Sequence, residues 1–195
     1  LIQNCGIRAQ YIVAMTFTNK AAREMQERVG QLLGSRPVGL TLSTFHALGV
    51  RILREEAKAL GYKPQFSIFD ATDCYGMLAD LSGSVDKATI RRLQGQISNW
   101  KNALISPDEA SKTAADDMGK LAAQAYAGYA ETLRAYQAVD FDDLIALPVD
   151  LFRQHPEVLD KWQNRLRYLL IDEYQDTNAC QYQLLRLLAG PRAAF

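Results

Sequence analysis

Two acidic residues, Asp172 and Glu173, stand side by side after the apolar run Tyr168-Leu-Leu-Ile and before Tyr174-Gln-Asp-Thr-Asn. A carboxylate pair delivered by a buried strand suits magnesium-dependent nucleotide hydrolysis, with one group near the metal and the other near the attacking water. On spacing alone an equal reading stays open: both side chains face solvent, and Asp176 or Thr177 caps the helix that follows. Two other apolar runs also end abruptly in polar residues, at Thr16 to Lys20 and at Ser43 to His46. In open parallel sheets ligands collect at the carboxyl ends of strands, so the three segments are expected along one edge.

The elements that must position them follow from hydrophobic period and punctuation. Tyr11-Ile-Val-Ala-Met-Thr-Phe-Thr reads as a buried strand, being a short apolar run bounded by polar residues. A helix follows at once, with Thr18 or Asn19 as cap, Ala22, Met25, Val29 and Leu32 on one face and Gly34 as stop. The grammar repeats in Gly39-Leu-Thr-Leu-Ser and a helix from Phe45 to Leu60 ending at Gly61, and two strand–helix units in succession imply a parallel sheet. From about Gly61 to Asn164 strand signals vanish. Helices are predicted over 70–81, 86–100, 107–116, 120–138, 141–153 and 156–166, with Ser106-Pro107 a strong start because serine caps and proline suits the first helical position. Tyr168 to Ile171 restores a strand, and a helix is predicted over 179–189. The economical fold is a parallel α/β sheet interrupted by an all-helical insertion.

Composition narrows the class. With 195 residues and 48% apolar content the chain can bury a substantial core. No apolar stretch approaches the ~20 residues of a membrane helix. The chain starts at Leu1 without the pattern of a secretion signal, so the natural amino terminus is expected elsewhere. Cys5, Cys74 and Cys180 are scattered and odd in number, which argues against a disulfide framework or a zinc site and fits a cytoplasmic protein. Basic and acidic residues balance at 22 each, so any nucleic-acid contact must be local rather than the work of a bulk basic field.

Identity over a longer window breaks the tie at Asp172. Leu169-Leu-Ile-Asp-Glu is a Walker B pattern, and Asp-Glu-Tyr-Gln-Asp-Thr-Asn at 172–178 resembles the second motif of UvrD/Rep-type superfamily 1 DNA helicases. Thr16-Phe-Thr-Asn-Lys-Ala-Ala-Arg-Glu-Met is similar to motif Ia of that family and Ser43-Thr-Phe-His-Ala-Leu to its motif Ib, all in the expected order. Asp140-Phe-Asp-Asp-Leu-Ile is similar to another recurring segment, and Ser98-Asn-Trp-Lys-Asn resembles a segment of helical subdomain 1B, which lies near the duplex in these proteins. The resemblance covers essentially the whole chain.

It implies an incomplete RecA-like domain 1A at residues 1–46, helical subdomain 1B at 47–160 and a return to 1A at 161–195. The implied cofactors of the full-length parent are ATP and Mg2+, with Asp172 helping to hold the metal, Glu173 activating water and Gln175 beside it in the catalytic set. Thr16, Phe17, Thr18, Asn19, Thr44, Phe45 and His46 are implied along a single-stranded DNA path. There Phe17 stacks on a base in a sequence-tolerant grip worth ~1–3 kcal/mol. Without the motif Phe17 reads as core, and His46 reads equally as a histidine satisfied at a helix start. Lys20 and Arg23 are secondary phosphate candidates, since a solvated helix face shared with Glu24 and Glu27 is the commoner explanation for them. Tyr126, Tyr129, Leu133 and Tyr136 share a helical face that reads as core, and Trp100 reads as buried.

One part of the pattern is missing. Gly-x-x-x-x-Gly-Lys-Ser/Thr, which cradles nucleotide phosphates, does not occur; Gly119-Lys120 is followed by Leu121 and has no glycine five positions before it. The chain by itself is therefore expected neither to hydrolyse ATP nor to unwind DNA. The parent is expected to do both with 3′ to 5′ movement on single-stranded DNA and at single-strand/duplex junctions, alongside replication or repair proteins. Two rivals remain: a RecB-type helicase–nuclease subunit, which the compact insertion disfavours, and a non-catalytic helical scaffold or DNA-binding module in which Asp172 and Glu173 only shape a turn.

Overall fold

The computed structural model describes residues 1–35 and 37–190, so the last part of the expected closing stretch, residues 191–195, lies outside them. The chain divides into two compact units, one of residues 1–52 with 148–195 and one of residues 53–147. The divisions fall inside two helices rather than in loops.

In the first unit a short helix α1 (Ile2–Cys5) precedes strand β1 (Ile12–Thr16), every residue of which is buried. Thr18 then caps α2 (Asn19–Leu33) by accepting from the Ala21 amide at 3.1 Å, and Gly34 ends it at φ +70, a left-handed conformation that glycine adopts without strain. Strand β2 (Thr41–Thr44) runs into α3 (Phe45–Glu56). That helix stops four residues before the expected Leu60, because the chain turns through Ala57–Tyr62 to left-handed Gly61 at φ +70. The unit is completed by the last turns of α8 (Asp143–Gln154), then α9 (Pro156–Arg165), β5 (Tyr168–Ile171), a 3-10 turn at Tyr174–Asp176 and α10 (Ala179–Ala189). The three strands form one parallel sheet in the order β2-β1-β5.

The second unit is chiefly helical: α4 (Ala71–Ser82), α5 (Lys87–Asn102), α6 (Pro107–Thr113) and α7 (Asp117–Ala135). Ser106 and Glu109 form the reciprocal cap expected at Pro107. Asp116 caps α7 by accepting from the Gly119 amide at 2.7 Å, and a Cβ on Gly119 would stand 2.9 Å from that carboxylate oxygen. Gly119 therefore serves a helix start. Leu78, Ile90, Leu93, Ala122, Tyr129 and Leu133 meet in the core, each large apolar side chain contributing about 1.5–3 kcal/mol on burial. Trp100 is buried as expected, stacked on Tyr126 with ring centroids 5.9 Å apart.

Two sequence expectations fail here. The insertion is not all-helical, because β3 (Ser67–Ile68) and β4 (Ala138–Val139) pair in parallel as a two-stranded sheet. Two-residue strands are too short to leave a period in the sequence. Consequently α7 ends at Ala135 rather than Ala138, and Tyr136, expected on the core face, is 67% exposed while Tyr126, Tyr129 and Leu133 are buried. No helix among the described residues is long and apolar enough to cross a membrane.

Candidate nucleotide and nucleic-acid site

Parallel register alone gathers the three polar strand ends. Thr16 stands opposite Thr44 across the β1–β2 ladder, and Met15 stands opposite Ile171 across β1–β5. The ladder runs one step further, with the Asp172 amide donating to the Met15 carbonyl at 3.0 Å. Asp172 and the two threonines therefore occupy one edge of one sheet, where the local backbone dipoles and loop amides of a parallel sheet are open to a ligand.

The carboxylates are exposed at that edge. Glu173 has φ +53 and ψ 44, a left-handed conformation uncommon for a residue with a Cβ and often stored at functional sites. Gln175 donates its side-chain amide N–H to the Glu173 carboxylate, so these two members of the expected catalytic set are in contact. The alternative cap reading is corrected: neither Asp176 nor Thr177 caps α10. Asn178 does, its side-chain oxygen accepting from the Gln181 amide at 2.8 Å while its own amide donates to the Gln181 side-chain oxygen at 3.0 Å. Thr177 donates to the Tyr174 carbonyl at 2.9 Å. Asp172 is also on the rim of a cleft of about 860 Å³, whose lining includes Ile12, Ala14, Met25, Leu42 and Leu170.

At the ends of β1 and β2 the expected DNA-path residues separate by burial. Thr16 and Thr44 are buried, and the Thr44 hydroxyl accepts from the Ala47 amide at 3.2 Å to start α3. Phe45 is 1% exposed and has no face to offer a base; its ring instead lies 5.3 Å from that of Phe17, tilted by 43°. Phe17 and His46 are half-buried, and Thr18 and Asn19 are exposed. Phe45, expected on the DNA path, is thus a core residue instead, while Phe17, which without the motif reads as core, keeps part of its ring in solvent. Lys20 is 3.8 Å from Glu24 with both side chains largely exposed, the solvated face foreseen as the plainer reading.

What sequence reading missed lies in the second unit. Lys101, 5% exposed, places its Nζ 2.8 Å from Asp140 and 2.7 Å from Asp143, and Tyr129 donates its hydroxyl to Asp140 at 2.8 Å. Asn102 bonds Asp142 at 2.8 Å, so the two family-like segments, Ser98–Asn102 and Asp140–Ile145, are joined to each other. Burial works against the Lys101 charge, yet the two carboxylates outweigh it and raise the ammonium above its usual range. Burial also opposes the Asp140 charge, but the Lys101 attraction prevails and holds that carboxyl below the ordinary range. For Asp143 burial wins and pushes the carboxyl up to about 6. A signal was available: Leu93, Ile97 and Lys101 recur every four residues, placing a lysine on an apolar face. All three cysteines are free thiols, Cys5 exposed and the other two buried.

Comparison with known proteins decides the family. Residues 1–195 match the UvrD/REP helicase N-terminal domain from end to end. The chain belongs to this family. It is 49% identical over its full length to the ATP-dependent DNA helicase Rep of Escherichia coli and 49% identical to that of Salmonella typhimurium. It is 45% identical over 97% of its length to the ATP-dependent DNA helicase PcrA of Staphylococcus aureus. The chain spans only part of those proteins, 30% of each Rep and 27% of PcrA.

Proposed function

We propose that the chain is part of an ATP-dependent DNA helicase, contributing its hydrolytic carboxylates and part of its single-stranded DNA path. The observation that carries this reading is the shared edge on which Asp172 follows Met15 while Thr16 faces Thr44. Residues 1–46 and 161–195 are assigned to motor domain 1A, with a RecA-like sheet, and residues 47–160 to subdomain 1B.

In this reading Asp172 is the protein's carboxylate toward Mg2+, a metal commonly held by one or two carboxylates together with water and substrate phosphates. A single exposed carboxylate at a strand end fits that share of the coordination. Bound metal supplies charge neutralisation on the phosphates. Glu173 accepts the proton of the attacking water, and Gln175 fixes the direction in which that carboxylate points. Phe17, supported from below by Phe45, stacks on a base, and Thr18, Asn19 and His46 bond the strand. Thr16 and Thr44, being buried, act mainly by fixing the strand ends.

The parent helicase is assigned ATP as cofactor, 3′ to 5′ movement on single-stranded DNA, junction substrates and a cytoplasmic location among replication or repair proteins. The 195 residues contain no Gly-x-x-x-x-Gly-Lys-Ser/Thr, so the chain alone is assigned no turnover. The test is magnesium-dependent, DNA-stimulated ATP hydrolysis: the longer protein turns over and its Asp172→Ala and Glu173→Gln variants do not. ATP turnover by the 195-residue chain above its own Glu173→Gln control would refute the assignment.

A further inference from the structure

We propose that the flank of β2 carries a binding site for a small organic carboxylate, apart from the strand-end edge. A cleft of about 250 Å³ opens there within the first unit, walled by β2, the middle of α2 and the first turns of α3. Ser43 is the unusual residue of its wall. The Ser43 hydroxyl oxygen is buried, and among the described residues it has no hydrogen-bond partner. A buried polar atom left unpaired costs stability, and a ligand able to accept its proton accounts for its place here.

The strand pattern puts a cation within reach of the same ligand. Side chains alternate along a strand, which turns Ser43 to the face opposite Thr44 and to the same face as Thr41. The Thr41 hydroxyl accepts from an Arg51 guanidinium nitrogen at 3.1 Å, so that guanidinium is anchored two strand positions before Ser43. Two positions span about 6.6 Å, a gap that a carboxylate bridges with a hydrogen bond at each end. Ala47 lies one helical turn before Arg51 on the α3 wall, and its small side chain leaves the gap open. The Gln26 side-chain amide donates to the Leu42 carbonyl at 2.9 Å and fixes the strand to α2, so the cleft is built before any ligand arrives.

Charge and shape select the occupant. Arg51 is the one charged residue among those described along the cleft, whereas the 860 Å³ cleft on the α2 side carries Glu24 and Asp172. A guanidinium has five donors, so Arg51 can hold Thr41, keep its further contact and still present a fork to an oxyanion. Val29, Pro37, Leu40 and Leu48 make the rest of the wall apolar. Inorganic phosphate would leave that wall unused, while a carboxylate with a short hydrocarbon tail covers it. The volume is below the ~300–1,000 Å³ of sites for drug-sized ligands, which limits the tail to a few carbons.

Neither DNA nor ATP enters the measurement, so its outcome leaves the helicase reading untouched. Amide nitrogen–proton NMR spectra of the 195-residue chain are titrated at constant ionic strength with 4-methylpentanoate, acetate, inorganic phosphate and the neutral 4-methylpentanamide. Saturable shifts of the amides of Leu40 to Thr44 and Ala47 to Arg51 are expected with 4-methylpentanoate. It should bind at least about ten-fold tighter than acetate or phosphate, because only it buries a hydrocarbon tail. Arg51→Gln, at an exposed position, is expected to weaken binding at least about ten-fold, and Arg51→Lys, which keeps the charge and loses the fork, about three-fold. Ser43→Ala should act in opposite directions, raising the thermal midpoint of the free chain while weakening the carboxylate about three-fold. A purely structural serine would not give that pair of signs. Absence of saturable shifts at these amides would overturn the site, as would equal affinity for the carboxylate and its amide, phosphate binding as tightly as 4-methylpentanoate, or wild-type affinity in Arg51→Gln.

Discussion

The ammonium of Lys101 lies 2.7 Å from a carboxylate oxygen of Asp143, and both side chains are withdrawn from solvent. Asp140 completes the cluster at 2.8 Å. Removing the shared cation strands two carboxylates in the interior, which is the costly way to break a buried ion pair. Lys101→Met is expected to destabilise the protein by about 3–5 kcal/mol in urea unfolding. Adding Asp143→Asn to that variant should recover part of the loss, because one uncompensated charge disappears. Equal stability of the single and double variants would contradict this.

The same cluster sets a pH dependence whose sign follows from burial. Asp143 titrates at about 6 in the folded protein against an ordinary 3.8, so the native state holds its proton the more tightly. That contribution to stability is complete below about pH 4 and is lost as pH rises through 6. Asp140, held low by Lys101, works oppositely: its contribution is present above the ordinary value and is lost as pH falls. Asp143→Asn removes the first effect. Unfolding free energies taken every half unit should show the variant gaining on the wild type between pH 4 and 6 and holding a constant offset above that window.

Glu173 occupies left-handed backbone, where a residue with a Cβ pays about 1–2 kcal/mol. Glu173→Gly is therefore expected to raise the thermal midpoint slightly, by less than about 1 kcal/mol in stability once the extra freedom of glycine in the unfolded chain is counted. Glu173→Gln should leave the midpoint nearly unchanged. A glycine variant less stable than the glutamine variant would show that the backbone there is not strained.

Phe17 and Phe45 touch, yet their substitution should read out differently. Phe45→Ala empties a fully buried position and is expected to cost about 3–5 kcal/mol. Phe17→Ala removes a half-buried ring and should cost less stability while weakening oligothymidine binding roughly ten-fold, the value of one lost stack. Circular dichroism melts and anisotropy on both variants separate the two roles.

Much of this protein was legible in its sequence wherever a local rule controls the outcome. The period of β1 and α2, the Thr18 cap, the Gly34 stop and the Ser106-Pro107 start depend on a few neighbouring residues, and each is found where those residues require it. Asp172 at the end of an apolar run was equally plain. Tertiary structure decided what depends on residues distant in the chain. Pairing of Ser67 with Ala138 across the second unit made strands of segments too short to announce themselves, and it released Tyr136 from the core face. Packing placed Phe45 beneath Phe17, although both lie in motifs of similar character. Lys101 met Asp140 and Asp143 some forty residues away. A charge can stay buried only if the fold supplies its partners, and a chain read one window at a time cannot show where they will come from.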